Sequence, residues 1–276
     1  MKQREAGFIF APTPVDEAKG VTIRRVIGGE RMAILDPFIL LDHASIEATS
    51  DVVGFPRHPH RGIETLSYVL LGEVGHKDSQ GNEGQVGPGG SQWMTAGDGI
   101  YHEEMLVPGP DGAEFLQLWF SLPADKKRIP AAYNGGPAED IPEVSTREAT
   151  VRVVAGSFGG VDGLFTGIAV NPTVLHIALS PGGTVEVPAA AGEAAFAYVV
   201  RGSAQCGGAW ATAPKVIVLS DGDAATFTGS DSGAQILFVA AKPLNEPILQ
   251  YRSFVMNTVE EIQETLAMIK AGTFAK

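Results

Sequence analysis

An all-β protein of two consecutive barrels, closed by one packing helix at the C-terminus, is what this 276-residue sequence predicts. Three observations carry that reading: short β-rich runs separated by glycine and proline, an internal duplication, and a single stretch of helical periodicity near the end. The 34 glycines and 18 prolines suit a turn-rich β architecture. A chain of this length also has room for two medium-sized cores.

From Val21 to about Ser121 the β rhythm is continuous. Thr65 to Leu71 and Val74 to Lys77 flank the turn Gly72-Glu73. A polar turn, Asp78 to Glu83, and the turns Pro88-Gly89-Gly90 and Gly97-Asp98-Gly99 separate further runs, Gln92 to Thr95 and Glu114 to Ser121 among them. Strands this short, joined by hairpin-length turns, predict a meander that closes into a barrel or sandwich. Pro123 to Pro142 is rich in Pro, Gly, Ala and charge, as a linker would be. The domains are therefore drawn as a barrel over 1–130, a linker over 131–145, and a second barrel with its helix over 146–276.

After the linker the pattern repeats. His58-Pro-His60-Arg-Gly62-Ile-Glu64-Thr-Leu-Ser-Tyr68-Val-Leu-Leu-Gly72 lies over Pro188-Ala-Ala190-Ala-Gly192-Glu-Ala194-Ala-Phe-Ala-Tyr198-Val-Val-Arg-Gly202. The tyrosines and both glycine pairs coincide, which predicts a duplication. The second copy has lost both histidines and the glutamate. At the C-terminus Asn257 is placed to cap a helix, with Glu260 three residues on. Val259, Ile262, Leu266 and Ile269 then recur at helical spacing before Gly272 ends it. The expected role of this helix is packing over a barrel.

A net charge of −12 opposes nucleic-acid phosphates and anionic lipid headgroups, so no direct nucleic-acid or membrane partner is expected. Lys126, Lys127 and Arg128 form the one basic cluster and read as a solvated loop. Cys206 is the single cysteine, which excludes an intramolecular disulfide. The apolar segment behind Met1-Lys2-Gln3-Arg4 ends at Pro12, too short for a signal peptide, and no apolar run approaches the roughly 20 residues of a membrane span. A cytoplasmic protein is expected.

The chemistry concentrates in two short motifs. Side chains at i and i+2 of a strand share one face, so His58 and His60 can address one ion while Pro59 points away. Pro59 also biases His58 toward extended backbone. His102 and Glu104 repeat the device, with Glu103 on the opposite face. Brought together by antiparallel folding, the two pairs offer three imidazoles and a carboxylate. That donor set suits Fe, Mn, Ni, Co, Cu or Zn, whereas magnesium or calcium would ask for more oxygens. Four protein ligands on an octahedral ion leave two positions open. The remaining histidines, His43, His76 and His176, stand alone and are assigned ordinary hydrogen-bonded structural roles.

His58-Pro-His60-Arg-Gly-Ile-Glu-Thr, Gln92-Trp-Met-Thr-Ala-Gly-Asp-Gly-Ile-Tyr-His102-Glu-Glu104 and Asp36-Pro37-Phe38 together resemble the pirin family. The resemblance extends over essentially the whole chain. It implies a bicupin, that is, two cupin barrels of the double-stranded β-helix or jelly-roll type. The first barrel would bind one divalent metal, Fe(II) foremost, and the second none. By position the implied ligands are His58, His60, His102 and Glu104. Cupins in general often take their glutamate from the first motif, where Glu64 stands. Pirins resemble the variant that uses the second motif, which leaves Glu64 to orient a ligand histidine. Ala44-Ser45 departs from the aromatic residue and glycine that pirins often carry there, a change that reshapes a loop and leaves the ligands intact.

Several pirins are similar to quercetin 2,3-dioxygenases. The resemblance therefore implies a metal-dependent dioxygenase that coordinates the 3-oxyanion of a flavonol, a small aromatic substrate, together with dioxygen. Glu104 would be the base for the hydroxyl proton. Phe55, Trp93, Met94 and Tyr101 are the candidate pocket walls. Other pirins are described as binding transcription factors or metabolic enzymes, so the alternative is an iron-dependent, redox-sensing regulator with a protein partner. A structural zinc is the weaker reading, because closed structural sites favour cysteine and Cys206 lies in the other half.

Overall fold

The glycine pairs of the duplication mark backbone positions that a side chain would strain. In the computed structural model, which describes residues 1–29 and 34–275, Gly62 and Gly192 have φ of 75° and 83°. Gly72 and Gly202 have φ of 64° and 68°. These are left-handed conformations that favour glycine. Tyr68 and Tyr198, also paired by the duplication, are both buried. The second strand of the repeat is thus built alike in both copies. The first strand is not, because Val53–His60 runs through both histidines whereas Thr184–Pro188 ends at Pro188 and leaves Ala190 in the turn.

The barrel that carries the histidine motifs is two sheets face to face. One has seven strands, in the order Ala132–Gly136, Ser91–Thr95, Ile63–Leu71, Ala113–Ser121, Phe38–Ile46, Thr22–Ile27 and Thr13–Val15. The other has four, in the order Val53–His60, Ile100–Val107, Glu73–Asp78 and Glu83–Val86. Alternation sets the interior. Ile23, Ala44, Val69, Val74, Leu106 and Phe115 close one end with an apolar cluster, and the motif residues occupy the space beyond it. The other barrel is a ten-stranded sheet whose interior is filled by residues such as Val153, Leu175, Val199, Phe227 and Phe238.

The chain divides into units other than those expected at 1–130, 131–145 and 146–276. One unit comprises Met1–Thr13, Ala33–Pro37 and Asp140–Pro243, and the other Pro14–Met32, Phe38–Glu139 and Leu244–Lys276. The terminal segments are therefore exchanged: the first residues belong with the second barrel and the C-terminal helix belongs with the first. Buried cations explain both exchanges. Arg4 donates to the carbonyls of Ala189, Glu193, Ser220 and Gly222 in the second barrel. Arg61, fully buried, donates to Thr265 Oγ1 on the helix at 2.8 Å and pairs with Asp98. Lys127, expected in a solvated loop, is buried and donates from Nζ to Gly62 O, Ser121 Oγ and Val255 O.

The expected linker carries two short strands. Ala132–Gly136 pairs with Ser91–Thr95, and Glu143–Ser145 pairs with Ala149–Ala155. Composition alone reads such edge pieces as loop, because their hydrogen bonds are decided by the neighbouring strand. The helix runs over Val259–Lys270, capped by Thr258 rather than Asn257. Thr258 accepts from the Glu261 amide while the Glu261 carboxylate reaches back to Thr258 N. No helix among the described residues is long and apolar enough to cross a membrane.

Candidate metal centre

Two strands of the four-stranded sheet bring the motifs together. In the antiparallel register His102 stands opposite His58 on one side and Asp78 on the other, and His60 stands opposite Ile100. The register slips between His102 and Glu104, where Glu104 pairs with Phe55. The extra residue falls at Pro56-Arg57, a bulge of the kind that tolerates proline. There Pro56 O accepts a hydrogen bond from His58 Nδ1 at 2.9 Å, which leaves His58 Nε2 as the ring's free lone pair.

The three imidazoles converge. Their ligating nitrogens all lie within 4.8 Å of one another, and the ring centroids are 4.4 to 4.8 Å apart. Burial, and then the neighbouring rings, holds His60 and His102 well below the usual histidine range; burial also lowers His58. All three are therefore neutral at pH 7. His60 Nδ1 and His102 Nε2 are buried and without a hydrogen-bond partner. Neutral imidazoles with buried, unpartnered ring nitrogens fit a divalent transition metal better than any hydrogen-bonded structural role.

Glu104 is buried beside this cluster and shares its cavity with His58 and His60. Its Oε1 lies 2.7 Å from Ser67 Oγ and its Oε2 accepts from Gln117 Nε2 at 3.0 Å. Each oxygen keeps a further lone pair. Burial pushes the carboxyl up to about 7 against those hydrogen bonds. Ser67 Oγ also touches Gln117 Oε1. Its one proton can go to either neighbour, so the pocket satisfies Glu104 in both protonation states. Glu64 stands elsewhere. It alternates onto the face of Ile63–Leu71 opposite Ser67, where its Oε1 accepts from Thr95 Oγ1 at 2.8 Å.

The cavity has a volume of about 170 Å³. Leu40, Phe55, Phe115 and Trp119 give it apolar walls, and Asp42 and Gln117 give it polar ones. At its edge Arg25 holds Asp42 through two hydrogen bonds of 2.9 and 2.8 Å and Glu17 through two of 2.8 and 2.7 Å. Of the four walls expected from sequence, Phe55 lines the cavity. Trp93 stacks on Phe120, Met94 packs in a separate core cluster, and Tyr101 packs on Phe274 under Arg57. Leu40, Phe115 and Trp119 were not legible, because they reach the site only through the pairing of their strands in the larger sheet.

Comparison with known proteins agrees with this arrangement. Residues 20–120 match the family described as Pirin, and residues 174–275 match the Pirin C-terminal cupin domain. The chain belongs to the pirin family. A pirin-like protein of Arabidopsis thaliana is 39% identical over 91% of this chain and 83% of its own. The pirin of Rattus norvegicus is 36% identical over 91% and 86%. The crystal structure of a quercetin 2,3-dioxygenase from Acinetobacter baumannii superposes with a TM-score of 0.90 at 30% identity, covering 99% of this chain and 98% of that one. The pirin family signature thus coincides with the histidine cluster: both of its motifs lie within the matched N-terminal region.

Proposed function

We propose that this pirin-family chain is a metal-dependent dioxygenase of flavonol-like substrates, holding one divalent metal, Fe(II) foremost, through His58, His60, His102 and Glu104. The observation that carries the reading is the convergence of three neutral imidazoles, two of which, His58 and His60, line a cavity walled by Leu40, Phe55, Phe115 and Trp119. The name of the Acinetobacter baumannii structure supports the substrate class. A redox-sensing regulator would call instead for a metal beside a flat exposed patch.

When bound, the metal supplies Lewis acidity and open coordination positions. The chain's own residues supply the rest. Phe55, Phe115 and Trp119 exclude water from the reacting end of the substrate and offer ring faces to an aromatic ligand. Glu104 takes the proton of the flavonol 3-hydroxyl, a role that requires it to leave or share the metal. Ser67 and Gln117 hold it in place before and after that transfer. The cavity is smaller than the roughly 300 Å³ at which drug-sized ligand sites begin. It therefore takes the reacting ring, and the remainder of the flavonol lies in the adjoining groove between Glu17, Leu40 and Arg252.

Protein loaded with iron or copper is expected to consume dioxygen with a flavonol that has a free 3-hydroxyl, and to leave the 3-O-methyl ether untouched. An oxygen electrode and the flavonol absorbance read the outcome. Fully metallated protein that consumes no oxygen and leaves the absorbance unchanged would overturn the proposal for this substrate class.

A further inference from the structure

Behind His102 lies a second histidine that the sequence pattern assigned to structure alone. His76 is buried and its ring is fixed, stacked on Tyr133 at 4.0 Å with an interplanar angle of 10°. Its Nδ1 lies 3.5 Å from His102 Nδ1, and its Nε2 lies 3.2 Å from Asp78 Oδ2. Asp78 is itself held by a turn. Its Oδ1 accepts from the backbone amides of Gln80 and Asn82, and its Oδ2 accepts from Asn82 Nδ2. The strand register places all three residues: Asp78 pairs with His102 and His76 with Glu104.

The proton positions along this line follow in order. An ionised carboxylate only accepts, so the hydrogen between Asp78 and His76 sits on His76 Nε2. The neutral ring then has its lone pair on Nδ1 and accepts from His102 Nδ1–H. His102 is left with its lone pair on Nε2, which is the atom that is buried without a hydrogen bond. We propose that Asp78 and His76 are positioning residues for the metal centre: a relay that fixes the tautomer of His102 and presents Nε2 to the ion. The relay rests on the reading of His102 as a ligand. It also explains why His76, though beside the cluster, is no ligand itself: its two nitrogens are already engaged.

The relay can be reversed without removing it. In Asp78→Asn the amide oxygen keeps the two backbone donors, so the amide nitrogen donates to His76 Nε2 and the Asn82 side-chain amide turns over to present its oxygen to the other N–H. His76 must then carry its hydrogen on Nδ1, facing His102 Nδ1, and His102 moves its own hydrogen to Nε2. This is the wrong-tautomer effect known for the aspartate of a catalytic triad. Nickel(II) affinity, measured by titration calorimetry, should fall by about 10- to 100-fold, as for other partners that orient a metal-bound histidine. His76→Phe keeps the stack on Tyr133, removes the acceptor, and should lose a similar factor.

Nitrogen-15 NMR of the metal-free wild type reads the relay without any variant. The expected result is His76 as the Nε2–H tautomer and His102 as the Nδ1–H tautomer, both reversed in Asp78→Asn. The relay is overturned if wild-type His102 carries its hydrogen on Nε2, or if both variants bind nickel within twofold of wild type. It is equally overturned if His76→Phe abolishes binding as fully as His102→Ala, since His76 would then be a ligand. Should His102→Ala bind nickel as wild type does, the ligand reading itself fails, and that result stands apart from the other three.

Discussion

Inside the first barrel Ser67, Glu104 and Gln117 form a hydrogen-bonded polar patch, whereas Val153, Leu175, Val199, Phe227 and Phe238 pack the interior of the second. The scaffolding around those interiors is shared. Gly62 and Gly192 make the same left-handed turn, and each turn is pinned by a buried cation that donates to its carbonyls, Lys127 to Gly62 O and Arg4 to Glu193 O. A Cβ on Gly62 would run into Val255 O, so the turn also admits the C-terminal segment. The difference teaches that the fold and the site are separable. The glycines that shape the turns are kept in both copies and each turn has its own buried cation, while the first interior carries polar residues and the second is packed with apolar ones.

The largest expected effect is the loss of metal from one barrel with no response in the other. His60→Ala removes a buried imidazole from a three-histidine cluster and should abolish tight binding, taking a metal content of one per chain to near zero in elemental analysis. The fold should persist, because a strand-borne imidazole adds little to the apolar core. A second tightly held ion that survives His60→Ala would break the comparison outright.

Next comes the reciprocal change. Phe238 is fully buried in the second barrel's core, and Phe238→Ala should cost about 3–5 kcal/mol of that unit's stability through lost burial and a cavity. Metal stoichiometry should stay at one per chain. Denaturant unfolding followed beside a nickel titration separates the two readouts, and a parallel loss of metal would mean that the second core supports the site.

A smaller effect follows from Glu104. Its carboxyl stands at about 7 in the folded protein against an ordinary value of 4.5. A raised carboxyl stabilises the fold below the lower value and loses that contribution as pH rises through the higher one. Metal-free protein should therefore lose up to about 3 kcal/mol between pH 4.5 and 7 relative to Glu104→Gln. If Glu104 is a ligand, metal binding at pH 6 must also release most of one proton more from the wild type than from Glu104→Gln, and almost none more at pH 8.5. Calorimetry in buffers of different ionisation enthalpy counts that proton. A difference of zero at pH 6 would leave the site with three histidines and move Glu104 to the role of a base.

What the sequence showed of this arrangement was whatever strand alternation and turn chemistry encode. His58-Pro-His60 and His102-Glu-Glu104 are local period-2 signals, and the structure brings their three histidines together. His76-Lys-Asp78 carries the same signal, with both residues on one face, but its partner His102 lies on another strand. Long-range choices were the illegible part. Nothing local in Lys127 or Arg61 reveals that each is buried against the C-terminal segment, so the helix was expected on the barrel next to it in sequence. The same holds for Ala132–Gly136, which is strand only because Ser91–Thr95 offers an edge.

The smallest expected effect tests that exchange of segments. Thr258 accepts from the Glu261 amide at 3.2 Å and receives the Glu261 carboxylate in return at 3.1 Å. Thr258→Ala removes the first bond and should cost about 1 kcal/mol of helix stability. The loss should be felt where the helix is fastened, at Arg61 through Thr265 and at Val255, whose amide donates to Arg61 O at 3.0 Å. Arg61 follows His60 directly, so loosening this strap reaches the end of the strand Val53–His60 while leaving the second barrel untouched. Hydrogen exchange resolves the two: amides of residues 61–63 and 254–256 should exchange several-fold faster in Thr258→Ala, and those of Ala224–Ala241 should not change. Faster exchange confined to Ala224–Ala241 would return the helix to the second barrel, as the order of the sequence first suggested.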